Sequence, residues 1–349
     1  MKIILTYPFL IGKGGMETVI KKVLLNVPSD IQVDFLLPGG SKDTSWTRGI
    51  TRNNVKLVFH DYKNPGMILY DTYRYILKEK PDIVITMNNL QIIPILAAKV
   101  FVKDMKVLSW NHFSLKYTKA NFLLKKCDLN LAISSGAVRE LEKLGIESRK
   151  VRLVYNPIDK IDKSFFIPQS ASSQKHFIYV GRIQYEKQKN LSEMFKILSK
   201  LKFNYQLDIY GDGSQEDKNR LLNLSDELGI SSNIVWHRWS DNIWKEIKDA
   251  DLMLFTSRYE GFALSIAEAV SHGVPVISSN CPNGPEDIIN QVNGRLYTPG
   301  KIDDAVELVN DFCAGKLKLG TQEEISKSIE KFYTPNYINN FFKIISEEK

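Results

Sequence analysis

The chain predicts an α/β protein made of two doubly wound, Rossmann-like domains in series. Three observations carry this reading. Short apolar runs alternate with amphipathic stretches, the pattern of a parallel sheet covered by helices. The pattern stops at a polar stretch, residues 168–175, and then restarts. The length, 349 residues, exceeds one ordinary compact domain.

The elements follow in order. Residues 2–7 read as a strand, which runs into a Gly-rich loop and then a helix from about Met16. Residues 33–37, 56–59, 83–87, 106–110 and 129–134 read as further strands. Residues 69–79 and 136–144 have the 3.6-residue apolar spacing of helices. Tyr155-Asn156-Pro157 closes this first series. The second series has strands at 176–180, 205–210, 234–237, 252–256 and 274–278. Its helices fall at 191–201, 214–228, 264–272 and 303–314. Residues 326–349 read as helical with a break at Thr334-Pro335. The expected division is 1–165, 166–332, and a terminal helix, 333–349, that packs back on the first domain.

Composition narrows the function. Hydrophobic residues are 43% and charged residues 25%, which excludes a disordered chain. Cys127, Cys281 and Cys313 have no paired spacing, so a zinc ribbon, an iron–sulfur cluster and a disulfide framework are unsupported. The start lacks the features of a signal peptide. The longest apolar candidate, residues 83–102, is broken by Asn88, Asn89, Gln91 and Lys99, so no spanning helix is expected. A cytoplasmic chain follows as the expectation. The net charge of +7 is uneven: residues 1–165 carry +11 and the remainder −4. A basic half points to an anionic partner such as a membrane surface or a phosphorylated lipid; scattered surface lysines are the alternative. No zinc finger or RNP-type motif supports nucleic acid.

Ligands of open parallel sheets bind beyond the carboxyl ends of the strands. Two such domains in tandem suggest a cleft between them, with functional residues in strand-to-helix loops. Gly12 to Thr18 is the first such loop, where Gly14 and Gly15 allow close approach to a phosphate. It is neither a P-loop nor a complete dinucleotide fingerprint, and a plain tight turn accounts for it equally. Gly181 to Asn190 sets Arg182, Lys187 and Lys189 after a strand. Cations gain nothing from a helix N-terminus, so a bound anion such as a diphosphate explains them better than a solvated turn. Arg258 to Ala269 is the most specific segment: Glu260 stands at a loop tip, and the amides of Gly261, Phe262, Ala263 and Leu264 open a helix. Glu268 interrupts the apolar face of that helix and needs a partner, which vicinal sugar hydroxyls would supply. His112 ends a buried strand, where it is placed to bond a ligand phosphate or hydroxyl; a satisfied loop histidine is the alternative.

These residues resemble the retaining glycosyltransferases of family 4. The likeness rests on Gly14-Gly15-Met16-Glu17-Thr18, Val180-Gly181-Arg182 with the lysines after it, Tyr210-Gly211-Asp212-Gly213, and Glu260-Gly261-Phe262 with Glu268. It spans residues 3 to about 299. His112-Phe113-Ser114-Leu115 and Leu131 to Gly136 are further similar to the family's bacterial galactosyltransferases, which use UDP-galactose.

The resemblance implies a GT-B fold, two Rossmann-like domains facing a cleft. It implies a retaining hexosyltransferase that takes galactose, or next glucose, from a UDP-sugar. Arg182 with Lys187 or Lys189 would neutralise the diphosphate. Glu260 would meet the donor sugar, Glu268 the ribose diol, and the amides of residues 261–264 sugar or phosphate oxygens. Gly14 and Gly15 would approach the phosphate, His112 would lie near it, and backbone around Arg238 and Trp239 would meet the base. No cofactor or metal is expected. The acceptor would be a surface glycan on a lipid carrier at the inner membrane face, in lipopolysaccharide, capsule or wall polymer. A sugar-nucleotide epimerase and a non-catalytic partner subunit are the alternatives.

Overall fold

The computed structural model describes every residue except Lys13, Asp241 and Lys349. It divides into two compact units, one of Met1–Pro157 with Phe332–Lys349 and the other of Ile158–Lys331.

The first unit is a seven-stranded parallel sheet. Its strands are β1 (Lys2–Thr6), β2 (Gln32–Leu37), β3 (Val55–Phe59), β4 (Ile83–Thr86), β5 (Lys106–Asn111), β6 (Leu129–Ala132) and β7 (Val151–Leu153). Their order is β3-β2-β1-β4-β5-β6-β7. The inner strands are buried along most of their length: all four residues of β4 and all but Lys2 of β1 are inaccessible. Covering both faces with helices demands this, and it is why such strands read as unbroken apolar runs. The core joins sheet and helices through Ile4, Leu36, Ile76, Ile92, Ile95 and Leu124. Each such side chain contributes about 1.5–3 kcal/mol by leaving water.

The second unit repeats the plan with six parallel strands. They are β8 (Lys175–Val180), β9 (Tyr205–Tyr210), β10 (Ile234–His237), β11 (Leu252–Phe255), β12 (Val276–Ser279) and β13 (Gly294–Tyr297), in the order β10-β9-β8-β11-β12-β13. In each sheet the order reverses once, between β1 and β4 and between β8 and β11. Those two switch points are where an open α/β sheet leaves room for a ligand.

Four elements differ from the sequence expectation. The edge strands β7 and β13 are short and only partly buried, so neither forms an apolar run. The stretch 83–102 is a strand and a helix: Asn88 ends the strand and accepts from Leu90 N (3.0 Å), and Ile92–Lys99 is helical. The C-terminal break is a 3₁₀ turn, Glu330–Phe332, and Pro335 stands in the first turn of the helix Thr334–Ser346. This helix belongs to the first unit, where the Phe341 ring lies 4.9 Å from that of Trp110.

Candidate active site

The loops after β8 and β11 flank the switch point of the second sheet, and they are stitched together. Arg258 N donates to Gln188 O (2.8 Å), and Thr256 Oγ1 to Lys189 O (3.2 Å) and Asn190 O (3.0 Å). Behind the loop, the buried Tyr179 hydroxyl donates to Arg182 O (2.8 Å). A side chain on Gly181 would come within 2.7 Å of that hydroxyl. Four polar side chains meet on this frame. Arg182 Nη2 donates to Gln188 Oε1 (2.7 Å), Gln188 Nε2 to Glu260 Oε2 (3.2 Å), and Lys189 Nζ to Glu260 Oε1 (2.7 Å). Glu260 is buried, its own N–H donates to Pro282 O (3.0 Å), and the Lys189 ammonium sits 5.0 Å over the Phe255 ring. The Lys189 and Glu260 side chains are only 11% and 7% exposed.

Lys187 stands elsewhere. Its Nζ bonds Asp217 Oδ2 (3.2 Å), and its side chain is largely in solvent. Asp217 also accepts from Ser214 and from Tyr185 N, which with Lys187 hold its carboxyl below the ordinary range against the opposing effect of burial. Of the two candidate lysines, therefore, Lys189 meets Glu260 and Lys187 does not.

Glu260 to Leu264 lead into the helix Leu264–Ser271. Phe262 and Ala263 are buried, and Ala263 holds the left-handed conformation at φ 64°, ψ 58°. That conformation is costly for a residue with a Cβ, and such residues cluster at ligand clamps. Among the described residues, no side chain caps this helix at Ala263. Within it, Glu268 Oε2 accepts from Trp244 Nε1 (3.0 Å), and the Trp244 ring stacks on His272 at 5.0 Å. Arg238 and Trp239 are exposed beyond β10. Together with Ile183, Asp212, Lys218 and Trp236 they line a depression of about 610 Å³.

Gly14, Gly15 and His112 belong to the first unit. Gly14 is the N-cap of the helix Gly15–Leu25, which no side chain among the described residues caps. The loop before it is tight: Gly12 has φ +94°, a Cβ there would meet Asp43 O at 2.2 Å, and Gly12 N donates to the buried Glu17 Oε1 (2.9 Å). His112 follows β5 and packs on Trp110 with ring centres 4.5 Å apart. Burial alone pushes its imidazole down to about 3, so the ring is neutral. Its Nε2 is buried without a hydrogen-bond partner among the described residues.

Three residues at these sites were not singled out from the sequence. Gln188 bridges Arg182 and Glu260, and Trp244 holds Glu268. Ser257 Oγ, beyond the end of β11, is buried with no partner among the described residues. A neutral amide, an indole and a hydroxyl give no signal of charge or spacing. Among the described residues, no group of three His, Cys, Asp or Glu is placed to hold a metal ion.

Comparison with known proteins finds relatives along the whole chain. The Glycosyltransferase Family 4 profile matches residues 13–160, and the Glycosyl transferases group 1 profile matches residues 160–332. The chain is 34% identical to the lipopolysaccharide 1,6-galactosyltransferase of Escherichia coli K12, covering 99% of this chain and 98% of that one. Among solved structures, the apo form of the lipopolysaccharide outer core galactosyltransferase WaaB superposes over the full length of both chains, at a TM-score of 0.88 and 32% identity. At the level of fold alone, Anabaena HepE, solved with UDP-glucose, gives a TM-score of 0.77 at 17% identity over 99% of this chain and all of that one.

Proposed function

This chain belongs to glycosyltransferase family 4, with the two parallel α/β sheets of the GT-B enzymes, and from that premise we propose that it is a retaining, UDP-sugar-dependent hexosyltransferase. The observation that carries the proposal is the chain Arg182–Gln188–Glu260–Lys189 at the switch point of the second sheet. Two cations and one carboxylate converge where a sugar diphosphate would lie. Galactose is the favoured sugar, because the relatives covering the whole chain are galactosyltransferases; glucose is next.

The mechanism follows from the charges. Cleavage of the glycosidic bond to phosphate leaves an oxocarbenium-like carbon and places a negative charge on the departing diphosphate. Arg182 and Lys189 stabilise that charge, and donors already in place do so without reorganising. Before the donor arrives, Glu260 neutralises Lys189. A diphosphate competes for the ammonium and frees Glu260 to accept from the sugar hydroxyls. Glu268, held by Trp244, accepts from the ribose diol. The depression beside Arg238 and Trp239 takes the base. In the first unit, His112 Nε2 and the uncapped amides after Gly14 offer polar groups to the sugar and phosphate. The acceptor hydroxyl oxygen bonds to the anomeric carbon on the face that the diphosphate leaves, and the departing phosphate takes the hydroxyl proton; attack on that same face keeps the anomeric configuration. No cofactor is assigned, and the two cations take the charge-neutralising role of a metal.

The acceptor is a lipid-linked surface glycan, bound by the basic first unit at the inner face of the membrane. Among the described residues, no helix is long and apolar enough to cross a membrane, so contact would be peripheral.

The test is NMR of reactions with a panel of UDP-sugars and EDTA present. A new α-linked glycoside from one donor supports the reading. An epimerised donor makes the chain an epimerase. No change with any donor or glycan acceptor, together with no UDP binding by calorimetry, makes it a non-catalytic partner subunit.

A further inference from the structure

The first unit carries an apolar surface that its own fold does not use. The segment after β4 passes through the turn Asn89–Gln91 into the helix Ile92–Lys99. One side of it is core, with Ile92, Ile95 and Ala98 inaccessible. The other side is apolar too. Leu90, Ile93, Ala97, Val100 and Phe101 recur at helical spacing and face solvent. Ile93 is 50%, Phe101 68% and Val100 78% exposed. A helix apolar all round belongs inside a large core or in lipid, and this one has solvent on one side.

The neighbouring elements extend the surface. The 3₁₀ segment Asn121–Lys126 is tied to the turn by Asn89, whose Nδ2 donates to Lys119 O and Asn121 Oδ1 (2.9 Å each). It presents Phe122, exposed like Phe101. On the other flank, the helix Pro65–Glu79 is joined through Gln91 Nε2 to Thr72 Oγ1 (3.3 Å), and it presents Met67 and Tyr70. The charge around these groups is mainly positive. Residues 87–126 hold seven lysines and a single carboxylate, Asp104. Lys103, Lys119, Lys125 and Lys126 are exposed, as are Arg74 and Lys78 on the flanking helix.

We propose that this face docks on an anionic lipid bilayer. Leu90, Ile93, Val100, Phe101 and Phe122 enter the boundary between headgroups and acyl chains, and the lysines meet lipid phosphates. Outward aliphatic and aromatic groups framed by cations match the two forces that hold a peripheral protein on such a surface. The charge disfavours a second copy: a two-fold contact would set the same lysines against one another. The docking takes its purpose from the lipid-linked acceptor proposed above, yet its test needs neither donor nor acceptor.

The experiment is flotation of the full chain with vesicles of phosphatidylcholine, alone or with one-third phosphatidylglycerol, at 0.1 M salt. The protein is expected to float with the anionic vesicles and not with the neutral ones. Lys125→Gln/Lys126→Gln should lower partitioning roughly 25-fold, about fivefold per charge. Val100→Ser/Phe101→Ser should lower it by about tenfold or more, with circular dichroism and donor hydrolysis unchanged. Three results overturn the proposal: no flotation of the wild type, equal flotation of wild type and variants, or a dimer in light scattering that Val100→Ser/Phe101→Ser dissolves. Flotation equal on neutral vesicles removes the anionic lipid from it. Failure of sugar transfer by a protein that still floats counts against the proposed function and leaves the docking standing.

Discussion

Replacing Lys189 by methionine keeps the length of the side chain and removes its charge. In the native structure its Nζ lies 2.7 Å from Glu260 Oε1, with both side chains nearly out of water. Taking one partner from a buried pair leaves a carboxylate that has paid its desolvation and lost its counter-charge, a loss of about 3–5 kcal/mol. Gln188 Nε2 still donates to the other oxygen at 3.2 Å, which favours the lower end. At about 2–4 °C per kcal/mol for a domain of this size, a loss of ~3 kcal/mol lowers the second unit's thermal midpoint by about 6–12 °C. Lys189→Met/Glu260→Gln removes both charges and should recover most of the loss, because the hydrogen-bonding shape survives without the buried ion. The assay is calorimetric unfolding of the four proteins of this cycle, without ligand. A single mutant within 2 °C of wild type, roughly the shift from 1 kcal/mol at most, would refute the argument. So would a double mutant no more stable than Lys189→Met. UDP supplies a second readout. At a hundred times its Kd a ligand adds about 2.7 kcal/mol; the wild-type midpoint should rise accordingly, and that of Lys189→Met should rise much less at the same concentration.

Gly284→Ala should damage transfer from outside the charged cluster. Gly284 has φ +115°, and a Cβ there would lie 2.5 Å from the Phe262 backbone, so the loop carrying Glu260 must shift; at least a tenfold loss of kcat is expected, and wild-type kinetics would contradict it. His176 should make stability depend on pH. Burial opposes its charge, but hydrogen bonds to Asp208 and Asp249 prevail and raise it to about 9. Because the folded value lies above the unfolded one, the contribution is complete below about pH 6.5 and is lost as pH rises through about 9. The midpoint of the wild type should therefore fall over this range relative to that of His176→Gln, and parallel curves would exclude the effect. His112→Phe should keep the packing on Trp110 and the midpoint while lowering transfer about 10²-fold, the loss of one preorganised polar contact; unchanged transfer would remove His112 from the site.

What was legible in the sequence, and what was not, has a physical division. Inner strands such as Ile83–Thr86 are buried on both faces and so read as apolar runs, whereas the edge strands Val151–Leu153 and Gly294–Tyr297 are not. The helix Ile92–Lys99 was lost because an element apolar on both sides has no period to detect, the same property that leaves its outer face wanting a partner. Arg182 and Glu260 were legible as charges placed directly after buried strands. Lys187 and Lys189 were not separable, since two lysines on one loop differ only in which way the backbone turns them. That turn is fixed by Arg258 N and Thr256 Oγ1, about seventy residues away in sequence. Gln188 was silent for a deeper reason. It accepts from Arg182 through Oε1 and donates to Glu260 through Nε2. A lysine there would repel Arg182 and an ionised glutamate would repel Glu260; an amide, with an acceptor at one end and a donor at the other, bridges both. The residue that joins the charged groups of this site must itself be uncharged, and for that reason a search for charges passes over it.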